Sequence, residues 1–111
     1  MSSSPLPNGH PLYRISYSAK VQTDISGCQR QAAREGRGDQ FIAALRKIVD
    51  RLQTKPSVFG EPLYRLPTMK LQLRCAAISP AFVHFAVSEV RRVVYLRSVQ
   101  LLGSAAGPRE T

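Results

Sequence analysis

The chain has no tryptophan, two cysteines, two histidines and only seven acidic residues among 111. Each shortage closes a route. Cys28 and Cys75 form no CxxC pair and share no ligand spacing with a histidine, so neither a disulfide framework nor a zinc site is expected, and the sequence implies no metal and no cofactor. His10 falls in an opening rich in proline and serine, and His84 inside an alternating run. No apolar run approaches the roughly 20 residues that a membrane-spanning helix needs. The first twelve residues lack the basic start and apolar centre of a secretory signal. The expectation is a soluble, cytoplasmic protein without membrane contact, small enough to hold one modest core.

The acidic shortage is set against sixteen Lys+Arg, for a net charge of +9 and a pI near 10.4. Such a surface attracts polyanions: nucleic acid, a ribosome, or an acidic protein segment. A solvated, arginine-rich surface with no target has the same composition, so charge names the molecules that approach and not the reaction they undergo.

What is present is organised around residues 70–99. Three runs, KLQLRCAAIS, AFVHFAVSE and RRVVYLRSV, alternate with period two and are rich in β-branched and aromatic residues. Leu71, Leu73, Cys75 and Ala77 alternate with Gln72, Arg74 and Ala76. Val83, Phe85 and Val87 alternate with His84 and Ala86, and Val93, Tyr95 and Arg97 with Val94, Leu96 and Ser98. The breaks at Ser79-Pro80 and at Ser88 to Arg91 are too short for a parallel crossover, so the three strands form an antiparallel meander. Cys75 reads as a small buried hydrophobe, whereas Cys28 stands in a polar, exposed segment.

Upstream, residues 1–11 have three prolines and three serines and read as a disordered tail. LYRISYS, from Leu12, is a first strand with Tyr13, Ile15 and Tyr17 on one face, paired over a long sequence distance to the meander. Ala19 to Arg34 is a weak helix with Val21, Ile25, Cys28 and Ala32 on one side, Gly27 in its middle, and Asp24 or Thr23 as cap of a shorter version. The glycines of REGRGD suit a turn between helices, with Asp39 capping the second. That second helix, Gln40 to Gln53, carries the apolar stripe Phe41, Ala44, Leu45, Ile48, Val49 and Leu52 and ends before Pro56. SVFGEPLYRLPTM then has no regular period and reads as an ordered loop, with room for a short strand at Leu63 to Leu66. GSAAGPRET, residues 103–111, is a second tail. The fold class is α+β: one domain at 12–102, with an N-terminal strand, a two-helix hairpin and a three-stranded antiparallel meander completing one sheet.

This order resembles the RelE/ParE superfamily of type II toxin–antitoxin toxins, of plasmid-stabilisation type. The residues that carry the resemblance are the YRISYS strand, the FIAALRKIVDRLQTKP helix, FGEPLYRL, and the AFVHFAVSEVRRVVYLRSVQLL hairpin. The resemblance implies a bacterial toxin that cleaves ribosome-bound mRNA or poisons gyrase, and an acidic antitoxin that wraps and silences it. A degenerate, purely binding member of the fold is the alternative. Cleavage by a 2′-hydroxyl gathers negative charge at phosphorus, which cations on the sheet stabilise, and needs an acid or base. On that basis Arg74, Arg97 and Tyr95 are the catalytic candidates, and Lys70, Arg74, Arg97 and Arg91 the nucleic-acid contacts. Tyr95 also reads as a core aromatic with its hydroxyl at the rim, and His84 as a structural histidine. Arg46, Lys47 and Arg51 form a basic rim on the second helix, towards an antitoxin or rRNA. The chain departs from the family where Ala81 and Phe82 stand at the usual arginine and where Val99 to Leu102 replaces a His-Arg or Tyr-containing end.

Overall fold

The computed structural model describes residues 12–103. The two expected tails therefore lie outside the described residues, apart from Gly103. The order is β1 (Arg14–Tyr17), α1 (Ala19–Arg34), α2 (Gly38–Thr54), a 3-10 turn (Pro56–Val58), β2 (Glu61–Leu66), β3 (Leu71–Ile78), β4 (Ala81–Ser88) and β5 (Val93–Leu101). One five-stranded sheet has the order β1-β5-β4-β3-β2. Strands β2 to β5 form an antiparallel meander, and β1 pairs parallel to β5 across the whole chain. Parallel pairing needs a long crossover, which the two helices supply.

The meander is thus four-stranded, one strand more than the periodicity shows. β2 contains the short strand expected at Leu63 to Leu66 and starts two residues earlier, at Glu61; Pro62 and a register shift at Leu63 interrupt its alternation. Both are tolerated because β2 is an edge strand, where a missing donor and a bulge face no further ladder.

Helix α1 starts at Ser18, whose hydroxyl accepts from the Val21 backbone N–H at 3.3 Å, so the cap is neither Thr23 nor Asp24. It ends in a glycine turn. Gly36, at φ 74°, donates to the Ala33 carbonyl, and Arg37 N–H reaches back to Ala32 at 2.7 Å. This pairing satisfies the carbonyls of the last turn and reverses the chain into α2. Asp39 lies in the first turn of α2 and makes no capping bond there; its charge suits the helix dipole.

The core lies between the hairpin and one sheet face. Phe41, Ala44, Ile48 and Leu52 of α2 and Val21 and Ala32 of α1 pack on Tyr13, Ala76, Ala81, Val83, Phe85, Val87, Val94, Leu96 and Val99. Cys28, expected exposed, is half-buried against this core, its thiol 3.6 Å from the Val99 carbonyl.

Strand β3 faces the opposite way from its alternation. Ala76 and Ile78 belong to the helix-side core, so Arg74 shares the covered side, while Leu73 and Cys75 lie on the distal face. Two apolar faces were available to β3. The helix-side layer is filled by Phe41, Phe85 and Ile48, all fully buried.

Candidate functional site

Strand β5 carries the one irregularity of its ladder with β4. His84 pairs with Ser98 but Phe85 with Leu96, so Arg97 is an extra residue. A bulge of this kind bends the strand and re-aims the side chains beside it. The bulge also explains why Val94, Leu96 and Val99 all reach the core, which strict alternation forbids. Arg97 is exposed and Tyr95 half-buried.

Tyr95 and Arg97 line one open cleft together with Ser16, Tyr17, Ser18, Val21 and Leu96. Its floor is where β1 ends and α1 begins. The first turn of α1 holds no acidic residue, and its positive dipole end, capped by Ser18, lines the same cleft as Arg97. Two predicted residues are therefore brought together, in a setting that favours an anion.

The other predicted cations are elsewhere. Arg74 is a correction: it was expected on an exposed polar face, but it is 5% exposed. Its Nε donates to the Phe59 carbonyl at 3.0 Å, Nη2 to the Gly60 carbonyl at 3.1 Å and Nη1 to Gln72 Oε1 at 3.2 Å. Nε and Nη2 hold the segment that leads into β2, and Nη1 is tied to Gln72 on β3 itself. Lys70 is exposed in the β2–β3 turn, at φ 56°, and lines a second cleft with Arg65, Gln72, Glu89 and Val90. Arg91 is exposed in the β4–β5 turn, where its N–H donates to the Ser88 hydroxyl at 3.1 Å. Lys70 and Arg91 thus belong to the turn end of the sheet, while Arg97 lies farther along β5, four residues past its start at Val93.

That turn end is tied down by Glu89. Its carboxylate accepts from the hydroxyls of Tyr13 and Ser57, and the Arg92 guanidinium stacks 4.3 Å over the Tyr13 ring. Burial, reinforced by the Glu89 hydrogen bond and charge, pushes the Tyr13 phenol above its ordinary 10.0.

The distal face holds groups that sequence reasoning set aside. Register aligns Glu61, Cys75, His84 and Ser98 across β2, β3, β4 and β5, and on a neighbouring row Tyr64, Leu73, Ala86 and Tyr95. His84 Nδ1 is 3.0 Å from Ser98 Oγ, and the Phe82 ring meets the imidazole edge-on at 5.0 Å. Tyr64 is 56% exposed. Only the strand register places these residues together; the signal available in the sequence was the hairpin break at Ser79-Pro80, which sets the β3–β4 pairing. Among the described residues no cluster of three His, Cys, Asp or Glu side chains forms a metal site, and no helix is long and apolar enough to cross a membrane.

No model of a known protein family matches this sequence, and no curated protein matches it. A solved structure does. The chain is similar to one from the archaeal RelE–RelB complex of Pyrococcus horikoshii OT3, with a TM-score of 0.56 and 17% identity over 84% of this chain and 98% of that one. Strand, helical hairpin and antiparallel meander, superposed over nearly the whole of that chain, show that this protein has the RelE-like fold.

Proposed function

We propose that this chain is the toxin-like component of a type II toxin–antitoxin pair, acting on ribosome-bound mRNA. The observation that carries this reading is the fold shared with a RelE from a RelE–RelB complex. The Tyr95–Arg97 cleft beside the α1 N-terminus supports it. In this reading Arg97 stabilises charge at phosphorus, and Tyr95 offers a ring for a base or a hydroxyl for a proton. Lys70 and Arg91 guide the flanking backbone. Arg74 leaves the set that meets RNA, because its donors are committed to Phe59, Gly60 and Gln72.

The partner is an acidic antitoxin. The +9 chain attracts it, and the exposed Arg46, Lys47 and Arg51 of α2 form a surface separate from the sheet. A cytoplasmic, bacterial site of action and a role in plasmid stabilisation belong to the same reading.

A second reading, a binding protein of this fold without cleavage, is favoured by Ala81 and Phe82 at the family's usual arginine and by Val99 to Leu102 in place of its His-Arg or Tyr-containing end. A third, poisoning of gyrase, shares the fold. Inducible expression of the chain in a bacterial host, with colony counts and mapping of mRNA ends, separates them. Growth arrest with new mRNA ends inside translated regions is the expected result. Arrest with intact mRNA would replace it with the gyrase reading, and normal growth with abundant folded protein would replace it with the binding reading.

A further inference from the structure

Helix α2 ends at Thr54, before Pro56, and the chain turns through Pro56–Val58 instead of continuing over the strands. A cleft at the turn end of the sheet is left open beside that turn. Arg65, Gln72 and Val87 pair across β2, β3 and β4, and Val87 belongs to the core beneath the helices, so this row faces the helix side. The cleft holds about 520 Å³, within the range of small-molecule sites, and lies on the other side of the sheet from Tyr95.

Its polar lining is rich in donors. Arg65 and Lys70 are exposed, and neither makes an ion pair or a side-chain hydrogen bond among the described residues. Gln72 Oε1 accepts from Arg74 Nη1 at 3.2 Å, which leaves the amide NH2 as its remaining donor. Glu89 is the one acid in the cleft among the described residues, and its carboxylate is engaged by the Tyr13 and Ser57 hydroxyls. The cations outnumber it, and the field draws an anion. The rim, by contrast, is apolar. Val58, Met69 and Val90 are the three most exposed large apolar side chains among the described residues. All three stand here: Val90 lines the cleft, Val58 follows Ser57, and Met69 precedes Lys70. Exposed apolar residues scattered singly need no explanation, but three around one donor-rich cleft mark a binding site.

We propose that this cleft binds a phosphate ester carried on an apolar body. Such binding requires no action on RNA. Arg65, Lys70 and Gln72 bring a guanidinium fork, an ammonium and an amide to one place. A phosphate monoester offers three terminal oxygens and about 1.5–2 negative charges to match them, where a carboxylate offers two oxygens and one charge. The alkyl part covers Val58, Met69 and Val90 and removes them from water. A soluble phosphate ester and the headgroup of an anionic lipid share this chemistry. No helix among the described residues is long and apolar enough to cross a membrane, so a lipid would be met at its surface, by this end of the sheet.

The test is calorimetric titration of the full chain with n-octyl phosphate below its micelle concentration, beside inorganic phosphate, octanoate and a poly-glutamate peptide. n-Octyl phosphate should bind tighter than octanoate, and about tenfold or more tighter than inorganic phosphate, since each buried methylene adds roughly fourfold. Arg65→Gln and Lys70→Gln should each weaken it by about tenfold or more, the share of a hydrogen bond to a charged group. Val90→Ser should weaken n-octyl phosphate by roughly fourfold and leave inorganic phosphate unchanged, which separates the apolar contact from the anion contact. All three side chains are exposed, and unchanged thermal unfolding of the free variants checks that they fold. Flotation with phosphatidylcholine vesicles that contain phosphatidic acid, lost without that lipid and lost in Arg65→Gln, would name a lipid as the source of the ester. Binding of n-octyl phosphate without flotation would name a soluble ester. No binding of n-octyl phosphate, equal binding of inorganic phosphate, octanoate or poly-glutamate, or unchanged affinity in both Arg65→Gln and Lys70→Gln would overturn the assignment.

Discussion

Arg74 Nε donates to the Phe59 carbonyl oxygen at 3.0 Å, from a side chain that is 5% exposed. With Nη2 on the Gly60 carbonyl, the guanidinium fastens the entry into β2 to the centre of the sheet. Arg74→Ala removes both donors and leaves two carbonyls facing a void. The expected loss is on the order of 2–4 kcal/mol in urea unfolding, since hydrogen bonds to a charged group contribute about 1.5–3 kcal/mol each before relaxation. Arg74→Lys should recover only part of it, because one ammonium cannot span both carbonyls.

Gly60 beside it has no substitute. Its φ is 74°, and a Cβ there would lie 2.1 Å from the Cys75 carbonyl oxygen and 2.6 Å from the Ala76 Cβ. The backbone of β3 cannot give way without breaking its ladder. Gly60→Ala should therefore cost more than the roughly 1–2 kcal/mol of left-handed strain alone, visible as a lowered Tm. Gly27→Ala should stabilise by about 0.5–1 kcal/mol, because a Cβ there meets nothing within 4 Å in the middle of α1.

Ile48 is fully buried on the α2 stripe. Ile48→Ala should cost about 2–5 kcal/mol. Ile48→Asp should abolish the cooperative transition by circular dichroism, because burying an unpaired carboxylate costs more than a small domain can supply.

Alkaline pH should loosen the Tyr13–Glu89 tie. The folded state raises the Tyr13 pKa above 10.0, chiefly through burial and then through Glu89, with Arg92 opposing. A raised folded value means that the unfolded chain loses its proton first. The contribution is thus complete below about pH 10 and lost as pH rises through the folded value. Cys28, raised from 9.0 by burial, acts with the same sign from a lower starting pH. Denaturation series from pH 8 to 11 should show a steeper decline for the native chain than for Tyr13→Phe. Parallel curves would remove Tyr13 from the account.

Much of this fold was readable residue by residue. The spacing of Phe41, Ala44, Ile48 and Leu52 marks α2, and alternation marks β4 and β5 closely. What was hidden depends on contacts between distant segments. Nothing local decides that Ala76 rather than Cys75 faces the helices, since β3 offers an apolar row on each side, and with that choice Arg74 goes from a surface cation to a buried clamp. Pro62 and the shift at Leu63 interrupt the period of β2, so the sequence shows room for a strand only at Leu63 to Leu66 and leaves its start at Glu61 unread. At the site, Tyr95 and Arg97 were named from their chemistry, but the bulge that re-aims this stretch has no sequence signature. The meeting of β5 with the start of α1 needs the parallel pairing of β1. The contact of His84 with Ser98 was hidden for the same reason: the two are fourteen residues apart and come alongside only through the β4–β5 register.

The most direct test of the central claim is the equilibrium binding of a fluorescent single-stranded RNA to the purified chain, measured by anisotropy at several salt concentrations. The account predicts binding that weakens with salt. Arg97→Ala should reduce the slope of log affinity against log salt by about 0.7, the share of one phosphate contact on a single strand, and Tyr95→Ala should remove about 1–3 kcal/mol of stacking. Arg74→Lys, if folded, should leave the slope unchanged. Binding whose strength and salt slope are the same in wild type, Arg97→Ala and Tyr95→Ala would contradict the claim that RNA meets this protein at the β5 cleft.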